Sequence, residues 1–162
     1  MTRTDTTPRE LLSWILEKLK TDLGLTDATC FLSISDWAPA RIPSAPAFVT
    51  VTPLDGEFHS VEQVPGNVLE HWAFRVRVYV RISRDRAGQD VHRLLDSQDG
   101  LIAWKQKILK SLCGQDLGGA NLGQTVAARQ SHAPQWVQKD DSGLHYVTFA
   151  IDFVMPFGWD LE

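Results

Sequence analysis

The chain is poor in cysteine, in long apolar runs and in net positive charge, and each shortage closes off a class of function. Cys30 and Cys113 are its two cysteines, far apart and outside any C-x-x-C pair, which excludes a secreted disulfide framework and a cysteine zinc cluster. Both are expected to be reduced, buried thiols. Nowhere do roughly eighteen apolar residues run together, so no membrane span is expected. The polar start, residues 1–9, lacks the hydrophobic core of a signal peptide, and synthesis in the cytosol is the expectation. Sixteen Lys and Arg against twenty Asp and Glu leave a formal net charge of -4, so the molecule as a whole does not attract nucleic acid or anionic lipid, and any basic function must be local. What remains is ordinary globular material: 162 residues, 43% hydrophobic and 22% charged. That length suits one domain, expected over 1–162, able to bury roughly two thirds of its unfolded surface.

Signatures of chemistry are equally scarce. Gly118, Gly119 and Gly123 follow a helical stretch and lack a G-K-[ST] ending, whereas a phosphate cradle precedes its helix. His59, His71, His92, His132 and His145 share no metal-ligand spacing. No serine sits in a Gly-x-Ser-x-Gly elbow, and Ser131 and His132, as neighbours on a strand, would point to opposite faces. Asp140 and Asp141 precede Ser142 and Gly143, and local backbone hydrogen bonding in a turn accounts for them. The chain is therefore expected to be non-enzymatic, with no catalytic residue, cofactor or metal.

Periodicity supplies the positive signal. Thr7, Pro8 and Glu10 read as a helix start, Leu11, Leu12, Ile15, Leu16, Leu19 and Leu23 recur at helical spacing, and Gly24 supplies the stop. Residues 36–46, containing Pro39, Pro43 and Pro46, are expected to form an extended loop. A strand is expected at 48–52, closed by Pro53, followed over 54–69 by a protruding hairpin or a long loop, between which the sequence does not choose. The strongest pattern lies at 70–82. Trp72, Phe74, Val76, Val78, Val80 and Ile82 alternate with Ala73, Arg75, Arg77, Tyr79 and Arg81, predicting a two-faced strand with an apolar and an arginine-rich side. Residues 89–113 follow helical periodicity with a break or restart at 97–100. The stretch 115–124 is a glycine-rich loop, 125–129 and 135–139 are parts of one strand bent near Pro134, and a closing strand runs from His145 to Phe153.

The arginine row needs an explanation, because like charges at close cross-strand range cost roughly 0.2 to 1 kcal/mol per pair unless neutralised. Arg75, Arg77 and Arg81 share one face, and Arg84 and Arg86 follow directly. One reading is a solvated sheet face with Asp152 or a glutamate opposite; the other is contact with an acidic partner or with nucleic acid. Of the six tryptophans, Trp14, Trp72 and Trp104 lie on elements and are expected to be buried or half-buried, whereas Trp37 and Trp159 lie in loop or tail and suit interface anchoring.

The order of elements resembles the tail terminator proteins of long-tailed bacteriophages. The similarity rests on the amphipathic first helix at 11–23, the Pro-rich passage through Arg41, Ile42 and Pro43 to Phe48, Val49, Thr50 and Val51, the alternating strand at 72–82, the helix ending at Leu112 and Cys113, and the closing hairpin with His145, Tyr146, Val147, Thr148 and Phe149. The resemblance implies an α+β fold, a mixed, mostly antiparallel sheet of about four to five strands packed against two helices. Loop excursions at 54–69 and 115–124 and a C-terminal tail at 156–162 go beyond the minimal domain. It implies a hexameric ring that caps the tail tube, stops tube polymerisation and joins head to tail, in the virion after assembly in the host cytoplasm. The implied partners are copies of itself, the tail tube protein and head-completion or neck proteins, with DNA passing through the lumen without sequence-specific binding. In that setting Arg75, Arg77, Arg81, Arg84, Arg86, Trp37 and Trp159 become candidate interface residues. Another neck or tail-tube connector of a phage or phage-derived contractile device, and a nucleic-acid adaptor using the arginine face, are the alternatives.

Overall fold

A computed structural model of the chain describes residues 8–34, 43–60, 67–82, 96, 98–115, 125–138 and 145–160. Helix α1 (Pro8–Leu23) opens with proline at its first position, where the missing amide costs nothing. It ends at Gly24, whose φ of 66° is the left-handed conformation that a residue with Cβ resists, and Leu25 N–H closes back on Lys20 O at 2.9 Å. The second helix, α2 (Leu101–Leu112), starts where the sequence placed a restart. The Asp96 carboxylate accepts the amides of Gln98 (2.9 Å) and Asp99 (2.8 Å), a local turn that competes with helix until Leu101.

Six strands form one sheet: β1 (Cys30–Leu32), β2 (Ala47–Ser60), β3 (Asn67–Ile82), β4 (Ala127–Ser131), β5 (Gln135–Gln138) and β6 (His145–Asp160). The order is β1-β2-β3-β6-β4, with β5 also on β6; β1 pairs β2 in parallel and every other pairing is antiparallel. The expected α+β class, a mixed and mostly antiparallel sheet with two helices, is what the structure has. The sheet has five strand positions filled by six segments, because β4 and β5 share the flank of β6 across the break at His132 to Pro134.

Three strands run longer than their sequence patterns indicated. β2 passes through Pro53 instead of ending there. Its partner β1 reaches only as far as Val51 in register, so at Pro53 the outer side of β2 is an edge where a missing amide is harmless. A register shift between Leu54 and Glu57 absorbs the next residues. The stretch 54–69 is thus a hairpin arm, with its turn outside the described residues. β3 begins at Asn67, and β6 continues to Asp160 opposite it. Residues 156–160, read from the sequence as a tail, are therefore a third strand of this arm.

The core lies between the helices and one face of the sheet. Leu11, Ile15 and Leu19 of α1 and Leu101, Trp104, Ile108 and Leu112 of α2 pack on Val49, Val51, Trp72, Phe74, Val76, Val78, Val80, Val147, Phe149, Ile151, Phe153 and Met155, all buried. The expected apolar row of β3 is therefore in place from Trp72 to Val80. Trp14 is half-exposed and Cys113 is exposed, the second contrary to expectation because it caps α2 at the surface. Cys30 is buried, and desolvation pushes its thiol up to about 12.

Candidate functional site

The face of the sheet away from the helices carries the arginine row, and its middle is largely buried. β-sheet register brings Thr52, Arg75 and Asp152 into one cross-strand row, Thr50, Arg77 and Ala150 into the next, and Phe48, Tyr79 and Thr148 into a third. Thr50, Thr52, Arg77, Tyr79, Thr148, Ala150 and Asp152 are all buried. At one end of this face, Phe48 stacks on Tyr79 with centroids 4.3 Å apart and meets Tyr146 edge-on at 5.2 Å. The Tyr146 hydroxyl donates to Pro43 O at 2.7 Å, and burial pushes its phenol above the ordinary value.

At the centre of the face, Arg75 grips Asp152 through two bonds, Nε to Oδ1 at 2.6 Å and Nη2 to Oδ2 at 2.9 Å. His132, from the break between β4 and β5, brings Nε2 to 2.8 Å from Asp152 Oδ2 and 3.1 Å from Arg75 Nη2. One ring nitrogen cannot donate and accept at once. The carboxylate beside it is acceptor-only, so the arrangement that satisfies most groups has Nε2–H donating to Asp152. Burial alone would push the Asp152 carboxyl up; the hydrogen bonds from Arg75 and His132, together with their charge, outweigh it and hold the group below its ordinary value. The neutralising partner that an arginine row requires is thus inside the chain for Arg75, and it is Asp152, the residue the sequence named opposite it. The solvated surface that came with that reading is replaced by a buried ion pair.

The sequence-derived interface residues fall into four groups. Arg75 and Arg77 are turned into the chain, the former with a side chain 18% exposed and the latter 3% exposed as a residue. Arg81, next along the row, is exposed. Trp159 lies on β6 opposite Val68, while Trp37, Arg84 and Arg86 lie outside the described residues. His132 carried no signal in the sequence: it stands 57 residues from Arg75 and 20 from Asp152, and the pairing of β4 with β6 includes a register shift that alternation does not reveal.

Among the described residues no group of three His, Cys, Asp or Glu side chains could hold a metal ion, and no helix is long and apolar enough to cross a membrane. Thr52 Oγ1 and Thr148 Oγ1, buried on this face, make no hydrogen bond. The geometry is that of a structural polar layer. It ties β3 and β6 to the break between β4 and β5, and its most open member is the His132 imidazole, with a side chain 29% exposed.

No family model matches the chain, and no curated protein does. Among solved structures, a chain of the "Virion of native gene transfer agent (GTA) particle" is similar at 12% identity and a TM-score of 0.38, with 88% of this chain and 92% of that chain covered. At that identity and score the likeness assigns no function.

Proposed function

We propose that the chain is a structural assembly subunit: a tail terminator whose copies form a hexameric ring on the end of a phage-like tail tube, stop its growth and offer the joining surface for neck proteins. The observation that carries this reading is the β3–β6 ladder, paired over all 16 residues of each strand. At roughly 3.3 Å per residue it is about 50 Å long, whereas the 16 and 12 residues of the helices span only about 24 and 18 Å. A ladder about twice the length of either described helix is a rigid strut, suited to a subunit that repeats in an assembly. The element order expected from the resemblance, helix, strand pair, second helix and closing strand, also supports it.

The nucleic-acid reading has less support, since of the three described arginines in its row Arg77 is buried and Arg75 is half-buried and held by Asp152. Particle imaging with mass measurement of the purified chain tests the proposal: rings of about six copies are expected, and adding them to growing tubes should shorten the tubes. A strict monomer that leaves tube length unchanged would sink it.

A further inference from the structure

Among the described residues the sheet ends in two edges, β1 and β4, and they differ in how they are guarded. At β4 the register shift between Ala128 and Gln130 makes Arg129 the extra residue of a bulge. A bulge and a charge are common guards of an edge strand. β1 has neither: residues 28–34 hold no charged residue and no proline, yet Leu32 is 48% and Ile34 100% exposed. An unguarded apolar edge is a template for another strand.

The two edges match in height, in direction and in backbone polarity. One cross-strand row spans the whole sheet: Leu32 pairs with Val51, Val51 with Val76, Val76 with Ile151, and Ile151 with Ser131. Both ends of that row present backbone groups. Val49 N–H donates to Thr29 O and Ser33 N–H to Val51 O, so alternate residues of β1 bond inward and the N–H and C=O of Leu32 turn outward. His132 N–H donates to Ala150 O, which makes His132 an inward-bonding residue and turns the N–H and C=O of Ser131 outward. Because β1 is parallel to β2 and three antiparallel pairings follow, β4 runs against β1.

Within one molecule the two edges lie four strand spacings apart, roughly 19 Å, and cannot meet. Between two copies, Leu32 and Ser131 can exchange both backbone bonds as an antiparallel pair. The side chains fit as well, since the bulky Leu32 and Ile34 come against the small Ser131 and Ala128, all four exposed. Pairing β4 with another β4 would instead bring one exposed Arg129 toward a second.

We infer that β1 of one copy pairs antiparallel with β4 of the next, Leu32 opposite Ser131, so that the sheet continues from subunit to subunit. Such a contact is heterologous, the kind that closes into rings. It rests on the reading of the chain as an assembly subunit and names the surfaces that subunit uses.

The test is cysteine cross-linking of the full chain in a Cys113→Ser background, which removes the exposed native thiol. Opposed residues of a hydrogen-bonded pair have Cα atoms about 5.5 Å apart, within reach of a disulfide. Under mild oxidation a mixture of Leu32→Cys and Ser131→Cys chains should give covalent dimers on a non-reducing gel, and neither variant alone should. One chain carrying both cysteines should give a ladder of covalent oligomers. In parallel, Leu32→Lys should weaken self-association at least about tenfold by mass photometry, with circular dichroism confirming the fold. Ile102→Lys, at a comparably exposed apolar residue on α2, should assemble like the wild type. Covalent dimers of Leu32→Cys alone, or an assembling chain whose mixed variants do not cross-link, overturn the β1-to-β4 contact and leave the assembly reading standing. A wild-type chain that is monomeric at every concentration overturns that reading itself.

Discussion

Through the middle of β3, from Trp72 to Val80, both faces are largely buried, yet by different means. On the helix side Trp72, Phe74, Val76, Val78 and Val80 belong to one hydrophobic cluster, where burial is favourable in proportion to area and indifferent to direction. On the other side Arg75, Arg77 and Tyr79 share the interior with Thr50, Thr148 and Asp152, where burial is tolerable only if each polar group finds a partner. The first face therefore sets most of the stability, and the second sharpens the register: a one-residue slip would turn the apolar row away from the helices, whereas a two-residue slip would keep that row inward and would separate Arg75 from Asp152.

That contrast can be broken in four places. Phe74→Ala removes a fully buried ring stacked 5.4 Å from Phe153 and should cost about 4 kcal/mol in chemical denaturation. On the polar face Asp152→Asn should cost about 3 kcal/mol, because it leaves Arg75 without its counter-charge. The same change should alter the pH dependence. The Asp152 carboxyl titrates lower in the folded chain than in the unfolded one, so its stabilisation is complete above the ordinary carboxylate range and disappears as pH falls through the lowered folded-state value; the Asn variant should lose that part of the acid-side slope. Thr148→Val replaces a buried hydroxyl that makes no hydrogen bond and should raise stability by up to about 1 kcal/mol, readable as a higher Tm; a clear loss would mean the hydroxyl is engaged. Arg81→Ala should shift stability by no more than about 0.5 kcal/mol, because Arg81 is exposed although it stands in the same row as Arg75. Equal effects at Arg81 and Arg75 would erase the distinction drawn between them.

The apolar face was legible because strict alternation from Trp72 to Val80 can only be a strand with one side in the core. Helix α1 was legible for a similar reason, with proline and glycine marking its ends. Apart from Asp152 as the counter-charge of the arginine row, what escaped was what depends on a distant partner. Residues 156–160 look like a tail because Pro156 and Gly158 are poor strand formers, and only the antiparallel run of β3 opposite them makes a ladder. The arginines looked like a surface feature because charge is rarely buried; it is Asp152 on β6 and His132 from the β4–β5 break that make burial of Arg75 tolerable. Alternation reports that a face exists, and pairing decides what environment it has.

The central position of β3 also bears on how the chain folds. Its two neighbours are β2, just before it in sequence, and β6, the last of the six strands, so that Asn67 must find Asp160 and Trp72 must find Met155. Such distant closures make for slow folding, because loop entropy is lost before the contacts are gained. Until β6 arrives, one edge of a valine- and aromatic-rich strand stands open to any similar strand nearby. During that interval Arg75, Arg77 and Arg81, spaced along the open strand and not yet met by Asp152, repel a second copy of the same edge. The row that ends up locking the register thus first acts as a gatekeeper against aggregation.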